Sequence, residues 1–235
     1  MKILIEACCG SVEEAVAAEA AGADRIELCA ALPTGGVTPS MGMIEETLER
    51  VKIPVVVMVR PKEGRPNPSE DDFRAALRDV RLAVRAGAHQ IITGFLDETR
   101  WPDAERNRAL VDAADGRPVA FHRVFDMTPS LNEALEDVIE QGFIRVLTSG
   151  GEATVDSGMD RIMELVEYAG NRITILPGGG VRSHNVNHLV EYALCRELHF
   201  SFRQATGVEG YSGNEDTEPE PERIREIRAI VDAIN

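Results

Sequence analysis

Lysine is nearly missing from this 235-residue chain, which carries only Lys2, Lys52 and Lys62. Schiff-base chemistry needs a lysine at the end of a strand, and Lys62 lies on a loop, so aldolase chemistry of that kind is disfavoured. Serine-hydrolase chemistry is equally unsupported, because no nucleophile elbow is present. Positive charge as a whole is short: 25 Lys and Arg face 40 Asp and Glu, a formal net charge of −15. Nucleic acids and anionic membrane surfaces both require a basic face, so neither is an expected partner. Aromatic residues are few, at 5% against a hydrophobic fraction of 43%, which suits an α/β core of Val, Ile, Leu and Ala.

Cysteine is also sparse. Cys8, Cys9, Cys29 and Cys195 are too scattered for a secreted disulfide framework. No apolar run approaches the ~20 residues that span a bilayer. Met1-Lys2 is followed by Ile3-Leu4-Ile5-Glu6, too short and too soon charged for a signal-peptide core. The expectation is a protein of the reducing cytoplasm.

What the chain does have is rhythm. Short apolar runs at 3–7, 25–28, 55–59, 90–93, 119–122, 144–148, 173–176 and 197–200 predict strands. Helical patterns lie between them at 12–21, 43–50, 70–86, 104–114, 131–141, 159–169 and 183–192, and a last helix closes the chain. Strands and helices alternating in this way build right-handed crossovers and a parallel sheet. Ala21-Gly22-Ala23-Asp24-Arg25-Ile26, Ala86-Gly87-Ala88-His89-Gln90-Ile91 and Gln141-Gly142-Phe143-Ile144-Arg145-Val146 repeat one device, a helix ended by glycine before a strand. Eight such units favour a closed (β/α)8 TIM barrel, single domain over 1–235, rather than an open doubly wound sheet. Residues 61–69 form a long Pro- and Gly-rich loop; 205–221 reads as an acidic loop and 222–235 as the C-terminal helix.

Alternate positions on strands face opposite sides. One parity collects Glu6, Cys8, Glu27, Cys29, Met58, Arg60, His122, Thr148, His199 and Ser201; the other holds Ile5, Ala7, Ile26, Leu28, Val57, Val59, Phe121, Leu198, Phe200 and Phe202. The apolar set should meet the helices and the polar set the barrel mouth, where sites of this fold are built. Glu6, Glu27, His122 and Asp126 are candidates for acid–base work, with Arg60 or Arg123 as an electrophile. Ser149, Gly150 and Gly151 follow the sixth strand and Gly178, Gly179 and Gly180 the seventh, and with Ser201 they offer an anion site built from backbone amides. Ile5-Glu6-Ala7-Cys8 and Ile26-Glu27-Leu28-Cys29 repeat Ile-Glu-x-Cys on successive strands. If those strands are neighbours, about 4.8 Å apart, the thiols of Cys8 and Cys29 can meet. Two soft thiolates suit Cu(I) better than a four-coordinate zinc site. Inert buried cysteines are the competing interpretation, and the residues alone leave both open.

Taken together, these segments resemble the CutC family of copper homeostasis proteins. The resemblance is carried by Glu6-Ala7-Cys8, Ala21 to Cys29, Gly35-Gly36-Val37-Thr38-Pro39-Ser40, Val57-Met58-Val59-Arg60-Pro61, Phe121-His122-Arg123-Val124-Phe125-Asp126, Leu147-Thr148-Ser149-Gly150-Gly151, Pro177-Gly178-Gly179-Gly180 and Leu198-His199-Phe200-Ser201. It implies a TIM barrel, a homodimer or homotetramer in the cytoplasm, and Cu(I) held by Cys8 and Cys29 at the ends of the first two strands. After Arg60-Pro61 the chain departs from the family's Gly-Gly-Asp-Phe stretch and carries Lys62-Glu63-Gly64-Arg65-Pro66-Asn67-Pro68. Thr93-Gly94-Phe95-Leu96 is bulkier than the family's usual sequence there. The alternative is an acid–base lyase, isomerase or hydrolase acting on a small anionic, phosphorylated or sugar-like substrate.

Overall fold

A computed structural model describes residues 2–64, 66–209 and 215–234, with backbone only at 203–209 and 215–219. Eight strands form one parallel sheet: β1 (Leu4–Cys9), β2 (Arg25–Leu28), β3 (Val55–Met58), β4 (Gln90–Thr93), β5 (Val119–Phe121), β6 (Arg145–Thr148), β7 (Thr174–Pro177) and β8 (Glu197–Ser201). The hydrogen-bonded order runs β7-β6-β5-β4-β3-β2-β1-β8, and β8 also packs beside β7, so the barrel is nearly closed. Six helices lie on its outside: α1 (Val12–Ala21), α2 (Met41–Arg50), α3 (Glu70–Ala86), α4 (Ala104–Ala113), α5 (Leu131–Glu140) and α6 (Met159–Ala169). A final helix, α7 (Pro221–Ile234), packs on α1.

Local chemistry explains these boundaries. The side chains of Ser11, Ser40, Ser69 and Asp103 accept the orphan amides at the starts of α1 to α4. Gly22 (φ +105°) and Gly87 (φ +103°) end α1 and α3 in the left-handed conformation, so the recurring helix–glycine–strand device has the expected backbone.

The two strand parities separate as the sequence predicts. Cys8, Cys29, Val56, Met58, Ile92, Ala120, Leu147 and Leu176 fill the barrel. Ile5, Ala7, Ile26, Leu28, Val57, Val59, Phe121, Leu198, Phe200 and Phe202 lie in the layer between barrel and helices, together with Cys9 and Cys195. Thr148 departs from the expected parity. Leu147 takes the inward position, and Thr148 bonds Asp126 instead.

Two predicted segments differ. After β7 the helical stretch shrinks to a π-helical turn at His188–Tyr192. The preceding residues form a turn instead, closed by the Asn185 amide on the Arg182 carbonyl (3.1 Å), and the Asn185 side chain accepts the Arg182 amide (2.9 Å) and donates to the Gly180 carbonyl (3.0 Å). The segment predicted as an acidic loop at 205–221 contains an antiparallel pair, β9 (Arg203–Glu209) with β10 (Glu215–Pro219); 210–214 lie outside the described residues. No helix among the described residues is long and apolar enough to cross a membrane.

Candidate functional site

The site is built on a buried ionic floor. Parallel pairing sets Glu6 beside Arg25 on β2 and beside His199 on β8. Arg25 pairs with the Glu6 carboxylate through Nε and with Glu197 through Nη2 at 2.5 Å. Arg145 donates to Glu197 at 2.6 Å and to Gln90 Oε1 at 2.8 Å. Burial alone would raise the pKa of Glu6, but Arg25 and His199 outweigh it and hold the carboxyl well below the usual range. Glu6 is thus committed to the floor.

His199 links that floor to the cavity above. Its Nδ1 lies 2.8 Å from Glu6 Oε1 and its Nε2 3.6 Å from Glu27 Oε2. Burial disfavours the imidazolium, yet the two carboxylates outweigh it and raise the pKa. Glu27 moves the other way: burial pushes its pKa up, and its Oε1 has no hydrogen-bond partner among the described residues. Three carboxylates (Glu6, Glu27 and Glu197) face two guanidiniums (Arg25 and Arg145), so one proton on the His199–Glu27 pair makes the set neutral.

Above this pair the two thiols meet. Cys8 Sγ and Cys29 Sγ are 3.7 Å apart, and one ligand atom from each of Cys8, Glu27 and Cys29 falls within 4.8 Å of the others. All three side chains are buried. The Cys29 contact, then burial, keeps the Cys8 thiol protonated far above its ordinary range. For Cys29 the Cys8 contact acts in the opposite direction, but burial and Glu27 prevail and push it up to about 11. Gly36 (φ +81°) lies over Cys29, where a Cβ would come within 3.3 Å of the sulfur.

The thiols and Glu27 line the bottom of a cavity of about 470 Å³ at the carboxyl ends of the strands. Arg60 lines it too, its Nη1 bound to the carbonyls of Gly35 (3.1 Å) and Gly36 (2.9 Å). His122 is buried beside it. Burial and then Arg60 push its pKa down to about 4. His122 Nδ1 accepts the Val124 amide at 3.2 Å, which places the proton of the neutral ring on Nε2, and Nε2 has no partner among the described residues. Ser201 also lines the cavity.

Asp126 lies apart from this group. Its carboxylate accepts the Ser149 amide (3.0 Å), the Gly151 amide (3.1 Å), the Thr148 hydroxyl and Arg123 Nε (3.0 Å). The Gly150 amide goes to Thr148 Oγ1 at 2.9 Å. The amides of the first glycine loop are therefore taken by the protein's own groups. In the second loop Gly178 donates to the Thr148 carbonyl at 2.9 Å, whereas the amides of Gly179 and Gly180 find no acceptor among the described residues.

The residue types alone did not disclose Arg25, Arg145 and Glu197 as the floor, nor Arg182 at the cavity rim. Parity carried a signal for two of them, since Arg25 and Glu197 share the register of Glu27 and His199.

The fold and site define a (β/α)8 barrel with a buried dithiol–carboxylate cluster at its mouth. The sequence profile of the CutC family matches residues 3–204, and the chain belongs to that family. It is 42% identical over 200 residues to a human copper homeostasis protein cutC homolog, covering 85% of this chain and 73% of that protein. A family protein CutC from Treponema denticola is 40% identical over 199 residues, covering 85% and 81%. The crystal structure of a CutC chain from Streptococcus agalactiae superposes with a TM-score of 0.80 at 31% identity, covering 84% of this chain and 98% of that one. Phosphoribosylanthranilate isomerase from Pyrococcus furiosus shares the fold alone, with a TM-score of 0.57 at 18% identity, 98% of this chain and 99% of that one.

Proposed function

We propose that this chain takes part in copper homeostasis by holding Cu(I) as cargo between Cys8 and Cys29. The observation that carries this function is the 3.7 Å separation of two sulfur atoms at the bottom of an open cavity, with Glu27 beside them. Two metal–sulfur bonds of about 2.3 Å each span up to ~4.6 Å, so one ion fits between these sulfurs without backbone movement. Soft thiolates favour Cu(I), and Oε1 of Glu27, without a hydrogen-bond partner among the described residues, is a buried acceptor that a cation would satisfy. The names of the relatives agree, since the human one is a copper homeostasis protein cutC homolog. A cytoplasmic location fits four cysteines that are all free thiols, which a reducing pool maintains. A homodimer or homotetramer is the assembly that the family resemblance implies.

Competitive Cu(I) titration of the reduced protein tests this, beside Cys8→Ser and Cys29→Ser. One equivalent bound tightly, and lost in both variants, is the expected result. Weak binding, or binding indifferent to either substitution, would overturn it.

A second function is favoured by one observation: the cavity is far larger than an ion needs, and it is lined by both Glu27 and His122. Glu27, its pKa raised by burial, suits a general base, and Arg60 and the His122 Nε2–H group suit electrophilic stabilisation. The corresponding substrate is a small organic anion, and the class an acid–base lyase, isomerase or hydrolase. A screen of phosphorylated and sugar-like compounds tests it; turnover abolished by Glu27→Gln is expected, and turnover that survives would refute this role for Glu27.

A further inference from the structure

The two glycine loops end in opposite states. Asp126 fills the first, but the second lines the cavity with the amides of Gly179 and Gly180 unsatisfied among the described residues. Arg123 stands directly against the second loop, where a Cβ on Gly179 would fall 2.6 Å from Arg123 Nη1. Its guanidinium is held from behind, by Asp126 on Nε at 3.0 Å and by Ser149 Oγ on Nη2 at 2.6 Å. Nη1 is left without an acceptor among the described residues. Arg182 lines the same rim, and among the described residues its guanidinium bonds the Val181 carbonyl at 2.7 Å. No described carboxylate neutralises it. Arg223, close enough to feel Arg182 as a like charge, bonds the Ser201 carbonyl at 3.0 Å and is paired with Glu220, so Arg182 is the cation here without a described carboxylate partner.

We propose that Gly179, Gly180, Arg123 and Arg182 form a subsite for the phosphate group of a small phosphate monoester, whose remainder lies in the cavity above Cys8, Glu27 and His122. The loop after β7 brings Gly179, Gly180 and Arg182 and the turn after β5 brings Arg123 to the lining of one cavity, a donor set of two amides and two guanidiniums that suits a tetrahedral oxyanion with many lone pairs better than a flat carboxylate. Cations collected at one cavity rim of a chain with net charge −15 focus the field on an anion there. A cavity of about 470 Å³ exceeds what phosphate alone fills, and Met58, Leu147 and Leu32 give it an apolar wall for a carbon skeleton. His122, buried and without a partner at Nε2 among the described residues, is a further donor lining the same space. This subsite supplies the anchoring group for the second function above. It is tested by binding rather than turnover, so the two fail separately, and it stands apart from copper.

The test is a titration of the full chain with inorganic phosphate, followed by calorimetry and by amide NMR shifts. Saturable one-site binding that moves the Gly179 and Gly180 amides is expected, weakened about tenfold or more in Arg182→Gln. Arg161→Gln removes an exposed guanidinium paired with Glu164 and is expected to leave the affinity unchanged. Arg182 is half-buried and bonds one carbonyl, so its variant keeps the fold, which a thermal melt checks. Absence of saturation, binding that leaves both glycine amides unmoved, or an equal loss in both arginine variants would each overturn the assignment.

Discussion

The carboxylate of Asp126 accepts the backbone amides of Ser149 and Gly151, two residues of the loop that follows β6. A surface-loop geometry that would cradle a bound anion is thereby closed with an internal one. The same carboxylate holds Arg123, which leans on the second glycine loop. Asp126→Asn keeps the shape but removes the charge that these donors share. It is expected to lower stability by about 1–3 kcal/mol in denaturant titration and to speed amide exchange across 148–152. An unchanged midpoint would show that the clamp is not structural.

The floor beneath the thiols makes a sharper prediction. Arg25 is buried between Glu6 and Glu197, so Arg25→Met leaves carboxylates without their partner. A loss of about 3–5 kcal/mol is expected, because breaking one side of a buried pair strands the other. Urea unfolding measures it, and a loss below about 1 kcal/mol would show that water reaches the floor.

His122 gives a signed pH dependence. Its pKa in the folded protein is about 4, against an ordinary 6.5. Between those values the unfolded chain binds a proton that the folded chain refuses. The contribution is therefore intact above about 6.5, lost progressively as pH falls, and levels off below about 4, for a total of roughly 3 kcal/mol. His122→Gln should flatten the stability profile in that window. An unaltered slope would mean that the ring is hydrated in the folded state.

Cu(I) binding should depend on pH in the opposite experimental direction from proton affinity. The Cys8 and Cys29 thiols are held protonated, with Cys29 pushed up to about 11, so the ion must displace their protons. Affinity is expected to rise with pH through neutrality, about tenfold per unit for each proton released. A flat profile measured with a competitor of known pH response would exclude thiolate ligation.

Substitution of Cys9 separates position from chemistry. Cys9 neighbours Cys8 in sequence but packs between β1 and the helices. Cys9→Ser is expected to cost roughly 1–3 kcal/mol of stability, by burying a hydroxyl, while Cu(I) stoichiometry stays as in the parent. Loss of stoichiometric binding in a folded Cys9 variant would move the site.

The sequence by itself determined the barrel and the sorting of its side chains, because both are local periodicities. The strand–helix alternation, the glycine stops at Gly22 and Gly87, and the parity that puts Cys8 and Cys29 inside while Cys9 lies outside are all legible over a few residues. Thr148 breaks that parity, since Leu147 beside it takes the inward place on β6. The glycine-rich stretches after β6 and β7 look alike in sequence and are told apart only by tertiary structure. Asp126 reaches across from the turn after β5 to fill one, and no described residue reaches the amides of Gly179 and Gly180 in the other. The same holds for the carboxylates. Glu6 and Glu27 share one motif, but the register between β1 and β2 gives Arg25 to Glu6 and leaves Glu27 Oε1 unpartnered among the described residues. Which charge is neutralised depends on neighbours brought together from distant positions in the chain, and only the closed barrel sets those distances.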